Sequence, residues 1–148
     1  MIIREVDLFQ GLNLSDEVLD QLVKVMESVS CPAGQVLFRQ GDPADHFYIL
    51  EQGSLNLSVA GAGRPTHLVK RPGETVGWSS VAGRETYTAT VDCAQDSRLI
   101  RINKDKLDDL LRRHPASGLL FYKRLAAVVG ERLIQCHQFL VMMHKEKG

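Results

Sequence analysis

The sequence predicts an α+β fold that is mainly β: an antiparallel double-stranded β-helix, or jelly roll, with a helix before it and helices after it. Three observations carry this expectation. Helical periodicity is confined to the two ends of the chain. Between them, over about residues 29–102, short β-prone runs alternate with turns. The last helix is long, and its apolar residues repeat as a heptad seam. The 148 residues suit one domain, taken as 1–148.

The first helix is expected over about residues 15–28, in "LSDEVLDQLVKVMES". Ser15 can cap it, and Asp16 and Glu17 lie where carboxylates favour the helix dipole. Leu19, Leu22, Val23 and Met26 recur at helical spacing. "CPAG" then makes a turn. The β section reads as about seven runs: "QVLFRQ", "HFYILEQ", "SLNLSV", "THLVKR", "YTATVDC" and "SRLIRIN" are the clearest. "GDPAD", the hairpin loop "AGAGRP" and "PGE" separate them. In "SLNLSV" the alternation puts Leu55, Leu57 and Val59 on one face.

Helix resumes over about 103–113, where Asn103 can cap "KDKLDDLLRRH". Pro115 separates it from the last helix, about 116–145. There Leu119, Tyr122, Ala126, Val129, Leu133, Cys136, Leu140 and Met143 are spaced alternately three and four apart. Phe121, Leu125 and Val128 form a second apolar edge. Two apolar sides on one helix need two partners. The second edge is expected to pack on the β domain, and the seam to pair with its twin in a parallel homodimer. The bland alternative is a helix lying wholly on its own roll.

Composition excludes several classes. Eighteen Lys+Arg balance eighteen Asp+Glu, which argues against a general nucleic-acid binder. The start of the chain carries Glu5 and Asp7 and no apolar core, so it does not read as a signal peptide. The apolar run Leu119–Met143 is broken by Lys123, Arg124, Glu131, Arg132 and His137, so no membrane span is expected. Cys31, Cys93 and Cys136 form no C-x-x-C pair. They are expected to be buried, reduced thiols of a cytoplasmic protein.

Two stretches carry the chemistry. "GQVLFRQGDPADHFYILEQGSLNLSV" spaces Gly34, Gly41 and Gly53 between strands, and "RPGETVGWSSVAGRETYTATV" follows. Together with helices at both ends, they resemble the cyclic nucleotide-binding domain family. That family supplies the ligand module of catabolite-activator-type regulators, protein kinase regulatory subunits and cyclic nucleotide-gated channels. The resemblance implies a phosphate-binding cassette: a glycine, a glutamate for the ribose, one helical turn, then an arginine for the cyclic phosphate, a small hydroxyl residue and alanine. Backbone N–H groups at a helix start suit an anion, and arginine adds charge-assisted bonds.

Matched residue by residue, the glycine is Gly77 and the glutamate position holds Trp78. Ser79, Ser80 and Val81 form the turn. The arginine position holds Tyr87, followed by Thr88 and Ala89. A second register, with Gly73 and Glu74 as the glycine–glutamate pair, sets Glu74 four residues too early and leaves "GWSS" unexplained. The scaffold is therefore present without its two charged groups. Losing the arginine costs roughly 1.5–3 kcal/mol, or one to two orders of magnitude in affinity.

Arg84 is the cation near enough in sequence to swing into the cassette, and Arg132 on the long helix occupies a place where the family senses the base. Trp78 and Tyr87 either fill the pocket or line it for another small molecule. The expected occupant is thus a cyclic nucleotide held weakly, an unidentified small molecule, or none. The family mechanism implies that occupancy moves the Ser79–Ser80 turn and the helix Lys104–Arg113, and so the long helix.

Catalysis is not expected. A cupin-type metal enzyme needs H-x-H, but His46 is followed two residues on by Tyr48; Glu51 and His67 do not complete a site. "GWSSV" lacks the closing glycine of a hydrolase elbow. Cys136 and His137 suit a helix seam better than a haem, and three scattered cysteines hold no iron–sulfur cluster. The chain ends at "MMHKEKG", without a recognition helix, so direct DNA binding is not expected. The functional expectation is a small-molecule-sensing regulatory domain with an undefined downstream protein partner. The alternative is a ligand-free dimeric interaction module, and the least favoured is a metal-dependent cupin-like enzyme.

Overall fold

Ser15 opens the first helix as its sequence demands: its hydroxyl accepts a bond from the Val18 N–H, and the helix α1 runs Asp16–Val25. The computed structural model describes residues 6, 9, 14–61 and 65–147. Glu5, Asp7 and residues 62–64 of the expected hairpin loop lie outside the described residues. The elements that follow are β1 (Met26–Cys31), β2 (Val36–Phe38), β3 (His46–Gln52), β4 (Leu55–Ser58), β5 (His67–Val69) and β6 (Thr75–Val76). A one-turn 3-10 helix spans Trp78–Ser80, and then come β7 (Thr90–Cys93), β8 (Ser97–Asn103), α2 (Lys104–Arg113) and α3 (Pro115–Lys147).

The strands form two four-stranded sheets, ordered β1-β8-β3-β6 and β2-β7-β4-β5. Every pairing in them is antiparallel. This is the expected β roll with flanking helices. The period of two along β3 sorts its side chains between two cores. Tyr48 and Leu50 point into the roll, with Phe38, Leu55, Val69, Val76, Val91 and Leu99. Phe47 and Ile49 point outwards, to a layer made with Leu22, Leu107, Leu110, Phe121 and Leu125 of the three helices. Phe47 and Phe121 are fully buried, worth about 1.5–3 kcal/mol each.

Several expectations need correction. Helix α1 stops at Val25, because Met26–Cys31 pairs residue for residue with β8. The helical spacing that reaches Met26 is overridden by this long-range pairing. Val23 does not join an apolar stripe: it is exposed, and Val18 is buried beside Leu22 instead. Val59 lies beyond the end of β4 and is exposed. The cysteines are not all reduced and buried. Cys31 and Cys93 are joined by a disulfide, and Cys136 is free but exposed.

Glycine is required where chain meets chain. At Gly53 (φ +107°) a Cβ would collide with Ser97 of β8. Asn103 caps α2, accepting from the Asp105 and Lys106 N–H groups. Helix α3 changes character along its length. Its first half buries Phe121 and Leu125, with Val128 packed against the helix layer; this is the second apolar edge expected from the sequence. From Leu133 to Met142 every residue is exposed. No helix among the described residues is long and apolar enough to cross a membrane.

Candidate functional site

The cassette begins where β6 ends. Gly77 takes φ +82°, which turns the chain out of the sheet and into the Trp78–Ser80 turn. The position also tolerates little bulk. A Cβ would lie 3.0 Å from the His46 carbonyl oxygen and 3.3 Å from the Tyr87 ring. Within the turn, the Ser80 hydroxyl donates to the Gly77 carbonyl at 2.8 Å, so it serves the turn itself. The Ser79 hydroxyl lies 3.4 Å from that of Thr88 and links the two sides of the cassette. The Arg84 N–H closes the loop on the Ser79 carbonyl at 3.1 Å.

Tyr87 and Trp78 part company. Tyr87 is buried in the roll core, its ring stacked on Phe38 with centroids 3.8 Å apart. Its backbone is fixed by two bonds to the Gly41–Asp42 turn. Its hydroxyl donates to the His46 carbonyl and accepts from the His46 N–H. Burial pushes the phenol up to about 12, with the bond to His46 pulling the other way. Trp78 is half-buried and packs on the opposite side, against the helix layer. The two rings therefore pack in different clusters, Tyr87 in the roll core and Trp78 against the helix layer.

Arg84 does not swing towards Tyr87. It lines an outer crevice of about 250 Å³ between the cassette loop and the helices, with Ser80, Val81, Lys104, Asp108 and Tyr122. Arg132 reaches from α3 back to the roll, where its guanidinium donates to the Thr75 carbonyl at 3.3 Å, two residues before Gly77. Glu74, the acid of the rejected register, is engaged by His67 at 3.7 Å and Arg71 at 3.9 Å. Burial raises its carboxyl, but the nearby His67 imidazole and the hydrogen bond from the Arg71 backbone N–H hold it below its ordinary value.

Ala89 leads from Thr88 into β7. The structure thus brings together Gly77, Ser79, Thr88 and Tyr87, sets Trp78 and Arg84 on outer faces, and adds Arg132 through a backbone contact. Sequence reasoning missed Phe38, His46 and Thr75. Phe38 had a signal, as an aromatic on a short strand. His46 and Thr75 had none, because they act through their main chains. Among the described residues no group of three or more His, Cys, Asp or Glu is placed to hold a metal ion.

Residues 28–114 match the family model described as "Cyclic nucleotide-binding domain". This chain belongs to the cyclic nucleotide-binding domain family. Its domain is of that family's regulatory, sensor type. Among proteins of known sequence it is similar to Lysophospholipase nte1 of Aspergillus fumigatus, 30% identical over 103 residues. That match covers 68% of this chain and 7% of the lysophospholipase, so the chain spans a small part of that relative.

Two crystal structures show the same fold. A candidate cyclic nucleotide-binding protein from Geobacter metallireducens GS-15 is 28% identical, with a TM-score of 0.77 over 90% of this chain and 99% of that one. The Thermus thermophilus catabolite activator protein is 26% identical, with a TM-score of 0.73 over 93% of this chain and 63% of that one.

Proposed function

We propose that this chain is a sensor domain whose affinity for cyclic AMP and cyclic GMP is weakened or lost, and whose output runs through a parallel dimer of α3. One observation carries the first half of this reading. The position matching the family's phosphate-binding arginine holds Tyr87, and that side chain is core: buried, stacked on Phe38 and bonded twice to the His46 backbone. A phosphate arriving there would meet a protonated phenol already committed to the protein. The remaining polar groups of the cassette, Ser79 and Thr88, are neutral and face each other. They suit a ligand with less charge than a cyclic phosphate, and Ala89, Val81 and Arg132 complete the proposed lining.

A thermal-shift panel of cyclic mono- and dinucleotides tests this. The expected result is no shift with cyclic AMP or cyclic GMP at concentrations that saturate intact family members. A shift of several degrees with either would contradict it.

The dimer is supported by the exposure of Leu119, Tyr122, Leu133, Cys136 and Leu140. Ala126 is exposed too, and Met143 is half-exposed. Val129 is the exception on this seam, being packed against the helix layer of its own chain. Facing seam residues of a parallel coil meet their twins, so Cys136 would sit opposite Cys136 of the second copy. Mild oxidation should join two chains through that residue and abolish the joining in Cys136→Ser. A monomer by sedimentation at tens of micromolar would remove the dimer from the account.

A further inference from the structure

We infer that Cys31–Cys93 is a thiol–disulfide exchange site, a redox-controlled staple at one corner of the roll. The bond spans a sequence separation of 62 residues. Cys31 ends β1, the edge strand of one sheet, and Cys93 ends β7 of the other. The chain crosses between the sheets twice at this corner, through Pro32–Gln35 and through Ala94–Asp96. Hydrogen bonds hold the crossovers together: Gly34 N–H to the Cys93 carbonyl at 2.7 Å, Cys93 N–H to the Gln35 carbonyl at 2.9 Å, and Ala33 N–H to the Asp96 carboxylate at 2.9 Å. The disulfide is the covalent link at that corner. It closes a loop that contains the whole cassette, and β7 runs straight from Thr88 and Ala89 to Cys93.

Approach to the bond is one-sided. A crevice of about 350 Å³ is lined by Ser30, Cys31, Pro32, Gln52, Asp96, Ser97 and Arg98. It reaches Cys31 and not Cys93. Both cysteines are about 1% exposed, so exchange requires local opening of the corner. Arg98 places a cation in the same crevice, which favours a thiolate there.

The chemistry is two-electron exchange with a dithiol. A dithiol thiolate bonds to Cys31 Sγ, the S–S bond breaks, and its electron pair leaves on Cys93 Sγ, which takes a proton. The second thiol of the dithiol then attacks the mixed disulfide and releases Cys31 as a thiol. The dithiol departs as its cyclic disulfide. Run backwards, an oxidised dithiol closes the staple. In a reducing compartment the open form is favoured, and in an oxidising one the closed form.

Thiol counting tests the bond itself. Cys136→Ser purified in air without reductant and alkylated in denaturant should carry no alkyl group, and two after reduction. Two groups before reduction would overturn the inference. Dithiothreitol added to the native protein should open the bond reversibly and lower Tm by about 10 °C, from the freed loop entropy. Reduction that proceeds only in denaturant would show a sealed structural bond and refute exchange.

Direction is read with glutathione disulfide. Cys93→Ser should form the adduct at Cys31, whereas Cys31→Ser should leave Cys93 unlabelled. Equal labelling would refute attack through the crevice. Should either variant fail to fold, the wild-type dithiothreitol titration decides alone.

Discussion

The two ends of the candidate cassette pack in opposite directions. At its start, an indole turns outwards and thickens the contact with the helices. At its close, a phenol turns inwards and becomes part of the roll. Both stand where the resemblance led us to expect a charged group, yet only Tyr87 occupies the roll interior. A side chain that packs inwards makes its position part of the roll core, whereas one that packs outwards joins the helix layer.

This contrast can be broken by truncation. Tyr87→Ala should create a cavity beside Phe38 and cost roughly 3–5 kcal/mol, as for other large aromatics. Trp78→Ala, from a half-buried position, should cost about half as much. Denaturant melts of the two variants compare them directly, and equal losses would erase the distinction.

Next in size is the latch between helix and roll. Arg132→Ala removes the bond to the Thr75 carbonyl, worth about 1.5–3 kcal/mol at most for a charged donor and less where solvent reaches it. Hydrogen exchange should quicken in α3 after Val128 while the strands keep their protection. Uniform loss of protection would place the effect in the core instead.

A smaller change sharpens the role of the phenol. Tyr87→Phe keeps the stack and removes the bonds to His46, at a cost of about 1 kcal/mol. The pH dependence follows from the same group. Its folded value is raised from 10 to about 12, so the folded state holds its proton longer than the unfolded chain. The stability from this group is fully present below about pH 10 and is lost as pH rises towards 12. Melts across that window should show the slope in the wild type and a reduced slope in Tyr87→Phe.

Much of the fold was legible because its signals are local. Ser15 and Asn103 announce helix starts through their own hydroxyl and amide chemistry. The second edge of α3 follows from spacing alone. What was not legible depends on distant partners. Met26–Ser28 continue the helical pattern, yet the strand Met26–Cys31 pairs with residues from Ser97 to Ile102, far along the chain. Cys31 and Cys93 look unrelated until two crossovers meet at one corner.

The candidate site divides in the same way. Gly77 and the serine turn could be read in order along the chain. That Trp78 and Tyr87 diverge could not, because it depends on the positive φ at Gly77 and on the register of Tyr87 against the Gly41–Asp42 turn.

Calorimetric titration of the isolated chain with cyclic AMP tests the central claim most directly. The account predicts heats no larger than dilution, or binding far weaker than about 100 μM, since on the proposed reading Tyr87 offers the phosphate no cation. Saturable binding at about 1 μM or tighter would contradict it, and would require the Tyr87 ring to leave the core when ligand enters.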